Sequence, residues 1–362
     1  MKVFSNSHLR ITLTYFLFWI VAIYFLIIIR FLGHSSVVTN PINEHLPVDV
    51  TLLFRIGLFG ALVIGTSFGF LEIVFEKRLF RNMSYGKLIF IKSIIYTFIF
   101  ALALILLSIQ NQQISQGYFD FELWKKRFSI PNLLVWISYM AVASVLLNFT
   151  KEVSLKFGPG NLWRMLTGKF HRPQQEEKIL MFLDLKSSTM IAEKLGHIKY
   201  SELIQDCFND LVVISEYQAE VYQYVGDETI LSWGVLSGIK NNNCIMAYYA
   251  FKDILNKRSD YYLDRYGLVP IFKAGMNLGI VTIAEVGRIK KEIAFHGDTV
   301  NIAARIQDKC NEFGSELLIS ENLERKLINR DNFRIEELGK ILLKGKQEKI
   351  SLYSIHREVS IP

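Results

Sequence analysis

Four apolar runs fill most of the first 150 residues, and they limit what this half of the chain can become. They lie at 11–31 (ITLTYFLFWIVAIYFLIIIRF), 54–75 (FRIGLFGALVIGTSFGFLEIVF), 88–109 (LIFIKSIIYTFIFALALILLSI) and 132–149 (NLLVWISYMAVASVLLNF). A helix of about 20 predominantly apolar residues spans a bilayer, and only closed hydrogen-bonding structures can do so. Residues 1–150 are therefore expected to form an α-helical membrane domain of four transmembrane helices. The first run is too long for a signal-peptide core and has no A-x-A-like cleavage site, so it reads as a retained helix. Arg55, Glu72 and Lys92 fall near span ends and read as anchors whose charged tips reach toward the interface.

Charge divides the chain at the same place. Residues 1–150 carry 12 Lys/Arg against 6 Asp/Glu, and residues 151–362 carry 29 against 28. The net charge of +7 thus belongs almost wholly to the apolar half, which argues against nucleic acid as a partner. Lys77, Arg78, Arg81 and Lys87 follow the second run, whereas 33–50 holds no Lys or Arg. Positive residues favour the cytoplasmic side, which puts the N-terminus and the long C-terminal half in the cytoplasm of a multi-pass protein of the inner (plasma) membrane. Lys125, Lys126 and Arg127 oppose this by falling in an outer loop, where Tyr118, Phe119, Phe121, Trp124 and Phe128 suggest a segment lying on the membrane surface. Cys207, Cys244 and Cys310 stand in no metal or disulfide spacing and read as reduced thiols.

Residues 151–177 read as a cytoplasmic linker or coupling segment. Gly158, Pro159 and Gly160 break any helix that continues from the fourth run, and LWRMLTGKF is a short amphipathic stretch. From 178 to 358 the pattern is that of a globular domain. Strands are expected at 178–183, 219–225, 228–233, 270–277 and 279–286, with a short extended piece near 292–295 and further strands at 316–319, 333–338 and 349–355. Helices are expected at 198–216, 243–264, 299–312 and 321–328. The opening order β-α-β-β-α-β is the ferredoxin-like α+β plan.

In that plan two aspartates converge. Asp184 closes the apolar run KILMFLD, and Asp227 sits in the turn of VYQYVGDETILSW. Each alone reads as a turn or cap residue. Together, at one end of a sheet, they suit a pair of Mg²⁺ or Mn²⁺ ions that hold a polyphosphate and activate a hydroxyl. Ser187, Ser188 and Thr189 follow Asp184 at a helix N-terminus, where backbone N–H groups and hydroxyls suit phosphate. Asn301 and Arg305 lie four apart on one helix face, a pairing suited to a ribose oxygen and developing phosphate charge. Lys344 and Lys346 flank a glycine turn in LLKGK within reach of a phosphate.

The order of ILMFLDLKSST, VYQYVGDE, HGDTVNIAARIQ and LLKGK resembles the class III nucleotidyl (adenylate/guanylate) cyclases, in their membrane-anchored bacterial form. The resemblance covers about 178–356. It implies a head-to-tail homodimer with active sites at the subunit interface, converting a nucleoside triphosphate to its 3′,5′-cyclic monophosphate and pyrophosphate. It implies that Asp184 and Asp227 bind the two metals, that Asn301 and Arg305 stabilise the transition state from the partner subunit, and that Lys344 contacts the triphosphate. Gln223 and Ala294 stand where the family reads the base. Gln223 can donate to and accept from a base edge; Ala294 can do neither. The expected activity is an adenylate cyclase, a phosphorus–oxygen lyase in intracellular signal transduction. The same catalysis on GTP, or a membrane module that binds nucleotide without turnover, are the alternatives.

Overall fold

The structure is a computed structural model. It describes residues 2–32, 50–75, 83–116, 118–122, 124, 130–158, 161–328, 330–342 and 349–358. The chain divides into two compact units, Met1–Lys156 and Phe157–Pro362.

In the first unit, four long helices contain the four apolar runs: α1 (Lys2–Leu32), α2 (Val50–Phe75), α3 (Tyr85–Gln116) and α4 (Ile130–Phe157). Among the described residues two stretches, Thr12–Ile29 and Leu134–Lys156, are long and apolar enough to cross a membrane, and Gly57–Ile73 is a shorter apolar stretch. Trp19, Phe68, Tyr96 and Met140, one from each helix, are fully buried in a shared core. Phe68 stacks on Tyr96 with centroids 4.2 Å apart, and Trp19 meets Phe68 edge-on at 5.3 Å. Of the charges that set the expected orientation, Lys77, Arg78, Arg81, Lys125, Lys126 and Arg127 lie outside the described residues.

Glu72 and Lys92 are not interfacial anchors. Both are buried, Glu72 completely. Glu72 Oε2 accepts hydrogen bonds from Tyr15 (2.8 Å) and Tyr96 (3.0 Å), and Oε1 from Lys92 (2.6 Å) and from Lys151. One carboxylate therefore gathers α1, α2, α3 and α4. An isolated buried charge is costly enough that it is found with partners, and here two lysines and two phenols inside the protein replace the water that an anchor would have reached. The Arg55 side chain lies outside the described ones.

Helix α4 ends at Phe157, and Gly158 follows at φ 83. Helix α5 (Asn161–Leu166) opens the second unit with Trp163 and Leu166 strongly exposed.

The remainder is one eight-stranded sheet with helices against it. The elements are β1 (Gln174–Leu185), α6 (Ser188–Leu195), α7 (His197–Asp210), β2 (Glu220–Val225), β3 (Glu228–Gly234), α8 (Asn243–Lys257), α9 (Ser259–Tyr266) and β4 (Phe272–Val286), followed by β5 (Glu292–His296), α10 (Asp298–Asp308), β6 (Leu317–Ser320), α11 (Glu321–Glu324), β7 (Phe333–Leu342) and β8 (Lys349–Arg357). The strand order is β2-β3-β1-β4-β6-β8-β7, with β5 paired to β4. The first four strands pair antiparallel in the order β2-β3-β1-β4, the expected ferredoxin-like core.

Several boundaries differ from expectation; the helices expected over 299–312 and 321–328 end at Asp308 and Glu324. The expected strands 270–277 and 279–286 are one strand, β4. Leu278 and Gly279 both pair with β1, and Gly279 makes room for α10, since a Cβ there would sit 2.6 Å from Thr299 Oγ1. The helix expected over 243–264 is two, parted at Arg258. The helix expected over 198–216 is α-helical to Asp210 and continues as a tighter 3₁₀ turn, Leu211–Tyr217.

β1 is buried on both faces. Ile179, Met181 and Leu183 pack into the larger core with α7, α8 and α9. Leu180 and Phe182 point the other way, into a smaller cluster with Val281, Ile283 and Ala303 of α10. Alternation along a strand puts Asp184 on this second face, under α10. Cys207, Cys244 and Cys310 are free and buried, and burial pushes each thiol up to about 12.

Candidate active site

The register of β1 and β3 decides where the two aspartates go. Asp184 is the cross-strand partner of Glu228, the residue after Asp227. Gly226 and Asp227 form the two-residue turn between β2 and β3, and Gly226 adopts φ 63, where a side chain would be strained. Both carboxylates thus meet at one end of the sheet. Their charges act on one another: burial and the neighbouring Asp227 raise the Asp184 carboxyl above its ordinary value, against the opposing pull of Lys273. Glu228 joins them. Burial, then Asp184, Asp227 and Asp308, push its carboxyl up to about 7, again opposed by Lys273.

Two other side chains hold Asp184. Lys273 Nζ of β4 lies 3.3 Å from Oδ2, and Gln307 Nε2 of α10 donates to the same oxygen at 3.1 Å. Neither stands out in the sequence. Lys273 is the β4 partner of Asp184 across the sheet, so a strand pairing was needed to find it. Gln307 follows Arg305 by two places, and the signal that could have found it is Gly275, whose missing side chain admits α10: a Cβ there would lie 2.1 Å from Gln307 N.

After β1 the chain turns through Lys186, whose N–H donates to Ile271 O at 2.8 Å. Ser187 then adopts φ 60, ψ 31, a left-handed conformation that costs a non-glycine residue roughly 1 kcal/mol or more. Ser188 begins α6 and Thr189 is exposed beside it. Tyr200 of α7 faces the same corner: burial and the charge of Asp227 push its hydroxyl up to about 12, and a hydrogen bond with Ser188 opposes the shift.

Asn301 and Arg305 lie on the opposite side of α10 from Ala303 and Gln307. Ala303 and Gln307 are buried against the sheet, while Asn301 is exposed and Arg305 half-buried. The helix is fixed at its start as well as its end: Thr299 Oγ1 donates to Ile280 O at 2.7 Å, and Asn277 Nδ2 donates to Thr299 O at 3.1 Å. Asn301 and Arg305 therefore project from a rigid support and face away from the Asp184 side of their own helix. Gln223 is exposed on β2, where the strand bulges between Val221 and Gln223. The bulged Tyr222 stacks on Phe295 at 4.0 Å and its hydroxyl accepts from Phe295 N–H at 3.0 Å. This brings β2 against β5, which carries Ala294. Lys344 and Lys346 lie outside the described residues.

The donor set suits a hard divalent cation. Asp184 and Asp227 supply carboxylate oxygens in a corner with more negative charge than its one lysine offsets. Among the described residues no group of three or more His, Cys, Asp or Glu is arranged to hold a metal. Such a pair leaves coordination positions for substrate oxygens, as Mg²⁺ sites on phosphate substrates do.

Residues 171–357 match the family of the adenylate and guanylate cyclase catalytic domain. Adenylate cyclase 2 of Rhizobium meliloti (strain 1021) is 29% identical over 227 residues, 62% of this chain and 62% of that protein. An adenylate cyclase of Anabaena cylindrica is 26% identical over 188 residues, 49% of this chain and 36% of its own length. The matched part thus spans less than two thirds of either relative. A bacterial light-regulated adenylyl cyclase of known structure superimposes with a TM-score of 0.51 at 21% identity, covering 59% of this chain and 64% of that one, a likeness of fold.

Proposed function

From its membership of the adenylate and guanylate cyclase catalytic-domain family, to which this chain belongs, we propose that it is a membrane-anchored adenylate cyclase working as a homodimer. It converts ATP to 3′,5′-cyclic AMP and pyrophosphate on the cytoplasmic side of the inner membrane, as a signalling enzyme. The observation that carries the reading is the meeting of Asp184 and Asp227 at one sheet end with uncompensated negative charge. The names of the Rhizobium meliloti and Anabaena cylindrica relatives favour ATP.

The ribose 3′-oxygen attacks the α-phosphorus, the bond from that phosphorus to the bridging oxygen breaks, and pyrophosphate leaves as the 3′-hydroxyl proton goes to solvent. No covalent intermediate with the protein is needed, so catalysis rests on alignment and charge. Asp184 and Asp227 would hold two Mg²⁺ or Mn²⁺ ions, which lower the pKa of a bound hydroxyl and offset charge on a leaving phosphate. The turn at Ser187 and Ser188 directs N–H groups at the polyphosphate. Asn301 and Arg305 serve the site of a second copy, because they face away from the Asp184 side of α10. There Asn301 orients the ribose, and the Arg305 guanidinium offsets charge developing on phosphate. Lys344 contacts the triphosphate. Gln223 meets the base edge with a neutral amide, and Ala294 supplies apolar contact only. The helices of the first unit anchor the enzyme, and the segment after α4 couples them to the catalytic domain.

The test uses the full chain in detergent or vesicles, supplied with Mn²⁺ and either ATP or GTP, with cyclic product measured by chromatography. Cyclic AMP is expected from ATP, at a higher rate than cyclic GMP from GTP. A faster reaction with GTP would reassign the substrate, and no cyclic product from either would overturn the reading.

A further inference from the structure

Gln307 is a buried polar side chain for which the proposed chemistry has no use. It is 3% exposed, and its amide donates to Asp184 Oδ2 at 3.1 Å. Lys273 addresses the same oxygen at 3.3 Å. With both donors on Oδ2, the plane of the carboxylate is fixed and Oδ1 takes neither of them. A neutral donor fixes the carboxylate without cancelling its charge, which a second lysine would do. The anchor point is itself closely packed. Gly275 lets the backbone of Gln307 approach β4 so closely that a Cβ would meet Gln307 N at 2.1 Å, Cα at 2.5 Å and Cβ at 2.7 Å. Ala303, one turn earlier, is fully buried in the same packing.

We infer that Gln307 is a positioning residue for the metal site: from the fixed end of α10 its amide holds Oδ2 of Asp184 and so presents Oδ1 to the cation. The inference rests on the proposed role of Asp184 as a metal ligand. Partners that orient a ligating carboxylate tune metal affinity. Because the same helix carries Asn301 and Arg305 on its other side, one rigid element sets the metal ligand of its own chain and the two groups offered to the partner's active centre.

The test is Gln307→Met, which keeps length and volume and removes the donor. Gln307→Leu is read instead if the Met variant does not fold. In the full chain, Mn²⁺ binding is followed by electron paramagnetic resonance with a non-cyclisable ATP analogue, alongside the thermal midpoint without metal and the turnover rate at saturating metal. The expected result is a rise of about 10-fold in the Mn²⁺ half-saturation concentration, with turnover at saturating Mn²⁺ within a few-fold of the parent. A purely structural role would lower the thermal midpoint and leave half-saturation within twofold, and that result overturns the inference. If the parent chain itself binds no Mn²⁺ and forms no cyclic product, the functional reading fails; if it does both and the variant matches it, only the role of Gln307 fails.

Discussion

Glu72 in the helical unit is a fully buried carboxylate and Asp184 in the catalytic unit a half-buried one, and their surroundings are opposite. Glu72 has two lysines and two tyrosine hydroxyls on its two oxygens. Asp184 shares its corner with Asp227 and Glu228 and has one lysine and one amide, both on one oxygen. A carboxylate with every lone pair served is a fastener, because removing any partner leaves a buried charge. A carboxylate crowded by its own kind is unfavourable until a cation arrives. The same residue chemistry thus meets a complete set of partners in one unit and an excess of like charge in the other.

That contrast can be broken by mutation. The largest expected effect is in the catalytic corner: Asp227→Ala should lower cyclic nucleotide formation by about 10³-fold or more, while the metal-free thermal midpoint holds or rises because a repulsion is gone. A falling midpoint with retained activity would make Asp227 a fastener too. Next is Glu72→Gln, which leaves Lys92 and Lys151 facing a neutral amide. Removing one member of a buried ion cluster costs about 3–5 kcal/mol, so unfolding of the full chain in detergent should begin at a markedly lower temperature. No change would place Glu72 with the ordinary surface pairs. The smallest effect concerns Glu228. Its carboxyl is raised from 4.5 to about 7 in the fold. A raised folded value means that the metal-free fold is favoured below the unfolded value and loses stability as pH rises from there through about 7. Glu228→Gln should therefore raise the metal-free midpoint by about a few degrees at pH 8 and change it little at pH 4.5. An equal gain at both pH values would remove charge crowding as the cause.

The two regions also differ in how much of them the sequence discloses. Asp184 and Asp227 are legible because each ends a strand-like run and β-α-β-β order brings those ends together. The cage around them is not. Lys273 is found only through the pairing of β1 with β4, and Gln307 only through the close approach of α10 at Gly275. In the helical unit, Glu72 reads as an anchor because local sequence offers it nothing. Lys151, one of its partners, stands 79 positions away, two residues past the end of the fourth apolar run. Long-range partners of single charges leave no periodic trace. The expected gap at residue 278 errs in the opposite sense: it is a strand interior, beside the point where Gly279 lets Thr299 come close.

In the proposed dimer each chain holds half of two active centres, with Asp184 and Asp227 on one side and Asn301 and Arg305 on the other. Mixing two inactive full-length variants, Asp184→Ala and Arg305→Ala, tests it directly by cyclic AMP formation under conditions where dimers exchange. Random pairing at equal amounts makes about half of the dimers mixed, each with one intact centre, so activity should return to about a quarter of the parent level. Two variants that dimerise and exchange, yet stay inactive when mixed, would contradict the shared site.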